Sequence, residues 1–456
     1  MTILSRGLRS RISEALSLIE AWARAGKKVT VLARAGVDGA CSAALLAKLL
    51  MHYGCPFEAR TMSVSQLSLV NSLTGPGAVL DLPLPLKIKA EGGWLHVAHL
   101  PSLGVPSGLV EVNPGLEGVD GRIEACATAL TYLMLVEAGL LDEACSMLLC
   151  VGVQGEGQVK PPPRAIEGLN ESCLSSLMDK GVVEVSRSLS VFSSRVPISS
   201  AIAAVLDPPL RRALGNEEGA KQVLKEAGLE AIVDKPLSAL SSEDRARLTQ
   251  ALLREALSSG LKAWMAERLM ASSLRFKAEA GLFDCLELSR VVDGCAKLNK
   301  LALSVRAFLR PSTSLDWEGL EASFAYFIQA ARHVRSLMER PTSRGDGLSF
   351  ELAAEQEHAV LDAALALSLL HYPRLVEVRC RLGEVVKVVI ATGAALERVD
   401  ELLSKLAPFV ERQGTVELGP RWIEAVLPGG MLNELERSLG GSGVEGEGQT
   451  DRGAGL

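Results

Sequence analysis

Along the first 160 residues, short apolar runs alternate with longer stretches of helical period. Lys28 to Ala33 reads KVTVLA, a β-branched run of strand length, and predicts a buried strand. Ahead of it, Leu4 to Ala25 keeps its apolar residues on one helical face. Cys41 to Tyr53, rich in Ala and Leu, predicts a helix, and so do the apolar segments Gly121 to Gly139 and Leu141 to Val151. Ala78 to Asp81 and Trp94 to Ala98 predict two more short strands. Strands separated by helices predict an α/β fold with a doubly wound, mainly parallel sheet. Pro161-Pro162-Pro163 and Asp207-Pro208-Pro209 interrupt the pattern as loops.

From Gln222 to Phe308 the period is helical and strands are few. Arg340 to Gly347 (RPTSRGDG) reads as a linker and Glu351 to Leu370 as a helix. Leu375 to Ile390 alternates around a Gly-Glu turn and predicts a β-hairpin. Leu396 to Phe409 predicts a helix and Trp422 to Leu427 a strand. Gly440 to Leu456 is Gly-rich and acidic, which predicts a disordered tail. The chain divides accordingly into an α/β domain over 1–190, a helical connector over 191–268, a smaller α/β domain over 269–440 and a tail over 441–456.

Composition narrows the function. The chain has 456 residues, with 48 Lys and Arg against 54 Asp and Glu, a net charge of −6. Bulk charge therefore does not grip polyanions, although a local basic groove stays open. Aromatic residues make up 4%, which excludes a many-ringed stacking platform. No charge-free apolar run approaches the ~18 residues of a membrane span. The N-terminus carries Arg6, Arg9 and Arg11, but Glu14 and Glu20 in the same stretch argue against a transit peptide. Nine cysteines without a C-x-x-C pair fit reduced, buried thiols in a cytoplasmic protein. The six histidines are too scattered for a zinc cage.

The sharpest local feature is VDGACSAA, Val37 to Ala44, where a strand runs into a turn holding Asp38 and Gly39. Carboxyl ends of strands form the crevice of an open parallel sheet. Asp38 is expected there, with Asp81 at the end of the next strand and His99 past a third. Glu156 follows the apolar segment that ends at Val153. Together, these carboxylates and an imidazole form a divalent-metal site. Singly, each has a blander reading, since an Asp after a strand is commonly a helix cap and His99 a hydrogen-bonded loop residue.

Basic residues gather in three places. Seven lie in residues 1–34 against two acids, five (Arg290, Lys297, Lys300, Arg306, Arg310) in 290–310 against Asp293, and four (Arg332, Arg335, Arg340, Arg344) in 332–344. Solvated helix faces explain them; so does a groove that tracks a single strand, with Trp94, Trp264, Trp317 and Tyr326 as the rings available for stacking.

Read together, these segments resemble the DHH phosphoesterases, in their archaeal RecJ-like branch. That branch contains the GINS-associated nuclease and the RecJ-like subunit of the replicative helicase. The family's first motif, roughly H-x-D-x-D-G-x-x-S-A-A, is matched by Arg34 to Ala44. Its second, a strand ending in Asp, is matched by Val79 to Asp81, and its D-H-H by Ala98 to Pro101 (AHLP). Its fourth, G-x-x-x-D, is matched by Gly152 to Glu156. Val112 to Cys126, Gly168 to Asn170, Leu206 to Ala220 and Val291 to Leu298 are similar to the branch as well, so the resemblance is collinear over most of the chain.

The departures carry the functional expectation. In the family, two metal ions share a bridging aspartate. Carried over, the first site has lost its His to Arg34 and its Asp to Gly36. The second keeps Asp38, Asp81 and His99, with Glu156 in place of Asp. The outer members of D-H-H are Ala98 and Leu100, and the Gly-rich loop that holds substrate in active members is absent between Ala391 and Gly430. The resemblance thus implies a degenerate phosphoesterase with no catalytic residue assigned. It binds one Mn or Mg ion at Asp38, Asp81, His99 and Glu156, or none if Arg34 replaces metal by a structural ion pair with the carboxylates. The implied role is a binding or scaffold subunit in DNA replication, with GINS and the MCM helicase as partners. Single-stranded DNA is a further ligand, at Arg34, Arg290, Lys297, Lys300, Arg306 and Arg310. The alternative is a single-metal or Mn-dependent single-strand exonuclease or phosphodiesterase.

Overall fold

The structure is a computed structural model, and it describes residues 5–72, 75–83, 93–100, 109–160, 165–192, 195–303, 317–339, 342–344, 347–393, 415–418, 421–428, 431 and 434. The chain opens with helix α1 (Arg6–Ala25), whose N-cap Ser5 accepts from Leu8 N and whose buried stripe is Leu8, Ile12, Ala15, Ile19 and Trp22. Strand β1 (Val29–Arg34) leads into α2 (Val37–His52), then β2 (Phe57–Met62), β3 (Gly77–Leu80), β4 (Trp94–Val97) and β5 (Leu109–Val112). These five strands form a parallel sheet in the order β2-β1-β3-β4-β5. The order reverses between β1 and β3, the switch point where open α/β sheets place their ligands.

Alternation within the strands sorts residues to two faces. Val31, Ala33, Ala78, Leu80, Leu95 and Val97 pack under α1, α2, α3 (Ala127–Glu137) and α4 (Glu143–Gly155). Leu32, Val79 and Trp94 point to the other face, where they meet Val64, Leu67 and Val426. Val426 belongs to the strand Trp422–Pro428, which thus packs on this face of the first sheet.

Helix α5 (Gly168–Asp179) leads to β6 (Val183–Leu189), which pairs antiparallel with β7 (Met270–Ala278); β8 (Gly281–Asp284) completes a three-stranded sheet. Between β6 and β7 lie α6 (Ile198–Ala203), α7 (Glu217–Glu226), α8 (Ser242–Ser258) and the short α9 (Ala263–Ala266), packed around a core of their own. Helix α10 (Cys285–Lys297) and the helix Trp317–Met338 follow. The C-terminal sheet has the order β13-β14-β12-β11-β10-β9, from β9 (Thr342–Arg344), β10 (Gly347–Leu352), β11 (Val376–Leu382), β12 (Val385–Ala391), β13 (Thr415–Leu418) and β14 (Trp422–Pro428). Helix Val360–Leu370 packs against it.

Several expectations need correction. Residues 270–284, read within a helical stretch, form β7 and β8, because small and apolar residues alternate there over β6. The linker reading of RPTSRGDG fails at Thr342–Arg344, which pairs with β10. The helix expected from Glu351 begins at Val360, after β10 and a 3-10 turn at Ala354–Ala359. The hairpin stands as β11 and β12, turning at Gly383 with φ 65°. The expected helix Leu396–Phe409 and the tail from Gly440 lie outside the described residues. All nine cysteines are buried thiols. Among the described residues, no helix is long and apolar enough to cross a membrane.

Trp94 is 1% exposed and lies over Gly77, where an added Cβ would meet its ring at 2.6 Å. Trp94→Ala is therefore expected to lower the unfolding free energy by about 3–5 kcal/mol in a denaturant titration. A change under about 1 kcal/mol would contradict this packing.

Candidate metal centre at the switch point

Asp38 lies in the first turn of α2 rather than in a turn ahead of it. Gly39 makes this possible: a Cβ there would meet the Arg34 carbonyl oxygen at 2.4 Å, so α2 starts hard against the end of β1. The Asp38 carboxylate is fully buried and points at the N-terminus of α3. Its Oδ2 accepts from Ala127 N at 2.6 Å and its Oδ1 from Thr128 N at 2.7 Å and from the Thr128 hydroxyl. The positive end of α3 thus holds the charge. Burial pushes the carboxyl up to about 6, with Asp81 adding to the rise and His99 and Thr128 opposing it.

Asp81 follows β3 in the left-handed region, at φ 58°. Its N–H donates to the Val97 carbonyl at 2.8 Å, which fixes the turn. An L-residue with this φ is uncommon outside Asn and Asp, and such strain gathers at functional sites.

His99 follows β4. Its Nδ1 donates to the Gly121 carbonyl at 2.8 Å, and a Cβ on Gly121 would collide with the His99 backbone. This contact turns Nε2 toward the acids, at 3.2 Å from Asp81 Oδ1, 3.5 Å from Asp38 Oδ2 and 3.7 Å from Glu156 Oε2. Nε2 is buried and makes no hydrogen bond of good geometry. Burial alone would push the imidazole down, but the carboxylates of Asp81, Glu156 and Asp38 outweigh it and push it up to about 10. Glu156 caps the C-terminus of α4. Burial pushes it up to about 8, with His99 and Arg34 opposing and Asp81 and Asp38 reinforcing.

The four expected ligands therefore converge. One ligand atom each from Asp38, His99 and Glu156 lies within 4.8 Å of the others, and Asp81 Oδ1 is beside the same imidazole nitrogen. Carboxylate oxygens with one imidazole suit a divalent ion of the Mn or Mg type. The orphaned Nε2 and its backbone-held partner nitrogen are the arrangement of a metal-binding histidine. The residues fit one cation. Asp38, Asp81 and His99 are at most 4% exposed, and Glu156 is the one with a partly exposed side chain.

The first site of the two-metal pattern is different. Gly36 brings no side chain, and Arg34 turns to the C-terminal sheet. Its Nη2 lies 3.1 Å from Glu424 Oε2, and its guanidinium sits 5.2 Å from the Trp422 ring centroid. Glu424 also meets Lys387 at 2.9 Å, and Lys387 reaches Glu357 at 3.5 Å. Burial would push Glu424 up, but Lys387 and Arg34 hold it below the ordinary carboxylate range. The expected ion pair of Arg34 with the metal-site carboxylates is corrected accordingly: among the described residues it pairs with Glu424, while its charge also acts on Glu156. Glu424, Lys387 and Glu357 carried no signal in the sequence, because each is an ordinary charged residue until the two sheets meet.

The basic residues of α10 need correction too. Arg290 donates to Ser190 Oγ at 2.6 Å and lies over the Phe192 ring, and burial pushes it down to about 10. Lys297 is held by Asp293 at 2.7 Å and Asp362 at 2.8 Å, over the Tyr326 ring. Both are inward-facing and committed to internal partners. Lys300 is exposed, and Arg306 and Arg310 lie outside the described residues. Of the four rings named for stacking, Trp94 and Tyr326 are buried, Trp264 is 44% exposed, and the Trp317 side chain lies outside the description.

Protein purified without chelator is expected to carry about one Mn equivalent per chain, measured by elemental analysis after dialysis against trace Mn²⁺. Asp81→Ala should lose it. Metal in the wild type no higher than in Asp81→Ala would contradict the site.

No family model matches this chain. An uncharacterized protein of Methanocaldococcus jannaschii is 25% identical over 242 residues, covering 49% of this chain and 53% of its own length. The chain thus matches about half the length of that curated relative. Among solved structures, CDC45 from Entamoeba histolytica aligns over 94% of this chain and 98% of its own, with TM-score 0.61 and 8% identity. RecJ in complex with Mn²⁺ from Thermus thermophilus aligns over 94% of this chain and 54% of its own, with TM-score 0.50 and 11% identity. With the parallel sheet and the switch-point acids already in place, the fold of this chain is that shared with CDC45 from Entamoeba histolytica and RecJ from Thermus thermophilus.

Proposed function

We propose that the chain is a catalytically degenerate RecJ-like protein that acts in DNA replication as a binding or scaffold subunit. One observation carries this reading: where the two-metal pattern needs its first His and Asp, the chain has Arg34 bound to Glu424, and Gly36. Two-metal hydrolysis activates water and neutralises charge between cations about 3.5–4 Å apart. A bound Mn or Mg ion would supply a fixed positive charge. Asp38, Asp81, His99 and Glu156 would hold it as a structural element, tying β3 and β4 to the starts of α2 and α3. The burial of three of these four side chains supports that role, since a substrate phosphate has little access to them.

By family resemblance, the partners in this reading are GINS and, through it, the MCM helicase. The second reading is a single-metal or Mn-dependent single-strand exonuclease, and the completeness of the four-residue cluster favours it.

Two experiments separate these readings. With Mn²⁺ and 5′-labelled single strands, the scaffold reading expects no turnover above buffer; hydrolysis abolished by both Asp38→Ala and His99→Ala would overturn it. Affinity purification of the tagged chain from its native cells should retain a GINS subunit. Failure to retain one under mild salt would remove the replication partner from the reading.

A further inference from the structure

Three of the four ligands of the metal centre lead back to one amide that is not itself a ligand. Gln158 follows the C-terminus of α4, close after Glu156, and its side chain turns inward, 3% exposed. Gly157 between them takes φ 68°, the left-handed turn that ends the helix and redirects the chain. Gln158 Nε2 donates to the Gly121 carbonyl at 3.0 Å and to the Ala125 carbonyl at 2.9 Å. Both partners can only accept, so the orientation of the amide is fixed and Oε1 faces the other way. That oxygen accepts from Asn170 Nδ2, in the first turn of α5. Asn170 is fully buried, and its own N–H donates to the Glu124 carbonyl at 3.0 Å.

Both ends of the span 121–125 feed the site. The Gly121 carbonyl oxygen that meets Gln158 is the one that accepts from His99 Nδ1 at 2.8 Å. A carbonyl oxygen has two lone pairs, and His99 and Gln158 take one each. The bond to His99 keeps a proton on Nδ1 and leaves Nε2 as the ligand atom. At the other end, Ala125 is followed by Cys126, the N-cap of α3, and then by the Ala127 and Thr128 N–H groups that hold Asp38. A shift of this span would turn the His99 ring and move the N–H pair under Asp38 at once. Helix α4 lies close to the same place, since a Cβ on Gly152 would collide with the Thr128 side chain.

We propose that Gln158 is the positioning residue of the metal centre: it clamps the span 121–125 so that His99 and Asp38 meet Glu156 at ligand distance, and Asn170 holds the clamp. A second buried glutamine shows the contrast. Gln154, in the last turn of α4, donates from Nε2 to the Ser272 carbonyl at 3.0 Å, and its Oε1 accepts from Leu274 N at 2.9 Å. It ties α4 to β7 and touches none of the groups that support the four ligands. Outer partners of this kind orient ligands, and their loss costs about 10–100-fold in metal affinity. The inference rests on the reading that the cluster holds one cation, and not on the replication role or on GINS association.

The test is Mn²⁺ titration of the metal-free full chain, followed by the electron paramagnetic resonance signal of free Mn²⁺, beside thermal melting of each metal-free variant. Gln158→Met keeps the length and bulk of the side chain and removes the amide. It should weaken Mn²⁺ binding about tenfold or more. Gln154→Met should lower the metal-free melting temperature and leave Mn²⁺ affinity at the wild-type level. Asn170→Ala should weaken Mn²⁺ binding in the same direction as Gln158→Met. Combined with Gln158→Met it should cost nothing further, because Asn170 acts through the amide. If Gln158→Met does not fold, Asn170→Ala carries the comparison with Gln154→Met. Affinity losses that follow the melting temperature across all the variants, Gln154→Met included, would overturn the proposal. So would equal affinity in the wild type and Gln158→Met; with Asp81→Ala still abolishing binding, the metal centre would then stand without this clamp. No Mn²⁺ binding by the wild type would overturn both.

Discussion

The contact between Arg34 and Glu424 organises the two ends of the chain. It joins the last residue of β1 to the middle of β14 across 390 positions, inside a seam where Glu424 is 2% exposed. A buried carboxylate is costly unless it is paired, and here Arg34 and Lys387 both pair it. Removing Arg34 would leave less positive charge around a buried acid, so the residue that ends the two-metal pattern has also become part of the fold. Val426, two residues on, packs with Leu32, Val79 and Trp94 on the face of the first sheet away from α2, so the ionic contact sits beside an apolar one. Ionic and apolar packing together fix the C-terminal sheet against the end of β1.

The remaining half of the site is built by the opposite means. Asp38, Asp81 and His99 are each held by backbone groups: the N-terminus of α3, the Val97 carbonyl and the Gly121 carbonyl. None of these supports depends on a cation. The donors are preorganised, and their mutual repulsion is eased by the imidazolium or by a divalent ion in its place. The cluster is therefore held by the fold itself. The fold has use for it at the switch point, where the ends of β3 and β4 meet the starts of α2 and α3.

Much of this was legible in the sequence. Asp38, Asp81, His99 and Glu156 could be placed because each follows an apolar run, and family order assembled them. The secondary-structure context of Asp38 differs from the expected turn: it belongs to α2, because the glycine at 39 lets α2 start hard against the end of β1. Strands β6, β7 and β10 were missed, since short alternating runs beside helical or Gly-rich stretches carry little signal until their partners are known. Charge was the least legible feature. Lys297 looked like a groove residue because Asp362, its second partner, lies 65 positions away, and Glu424 could not be linked to Arg34 by any local rule. Burial inverts the meaning of a charged residue, and burial is a property of the folded chain.

In the proposed reading, Arg34 and Glu424 occupy the place of a first metal ion and leave room for one cation at most. Anomalous diffraction from crystals soaked in Mn²⁺ tests this directly. A single peak among Asp38, Asp81, His99 and Glu156 is expected, with Arg34 still on Glu424. Two peaks about 3.5–4 Å apart, with Arg34 displaced from Glu424, would contradict it.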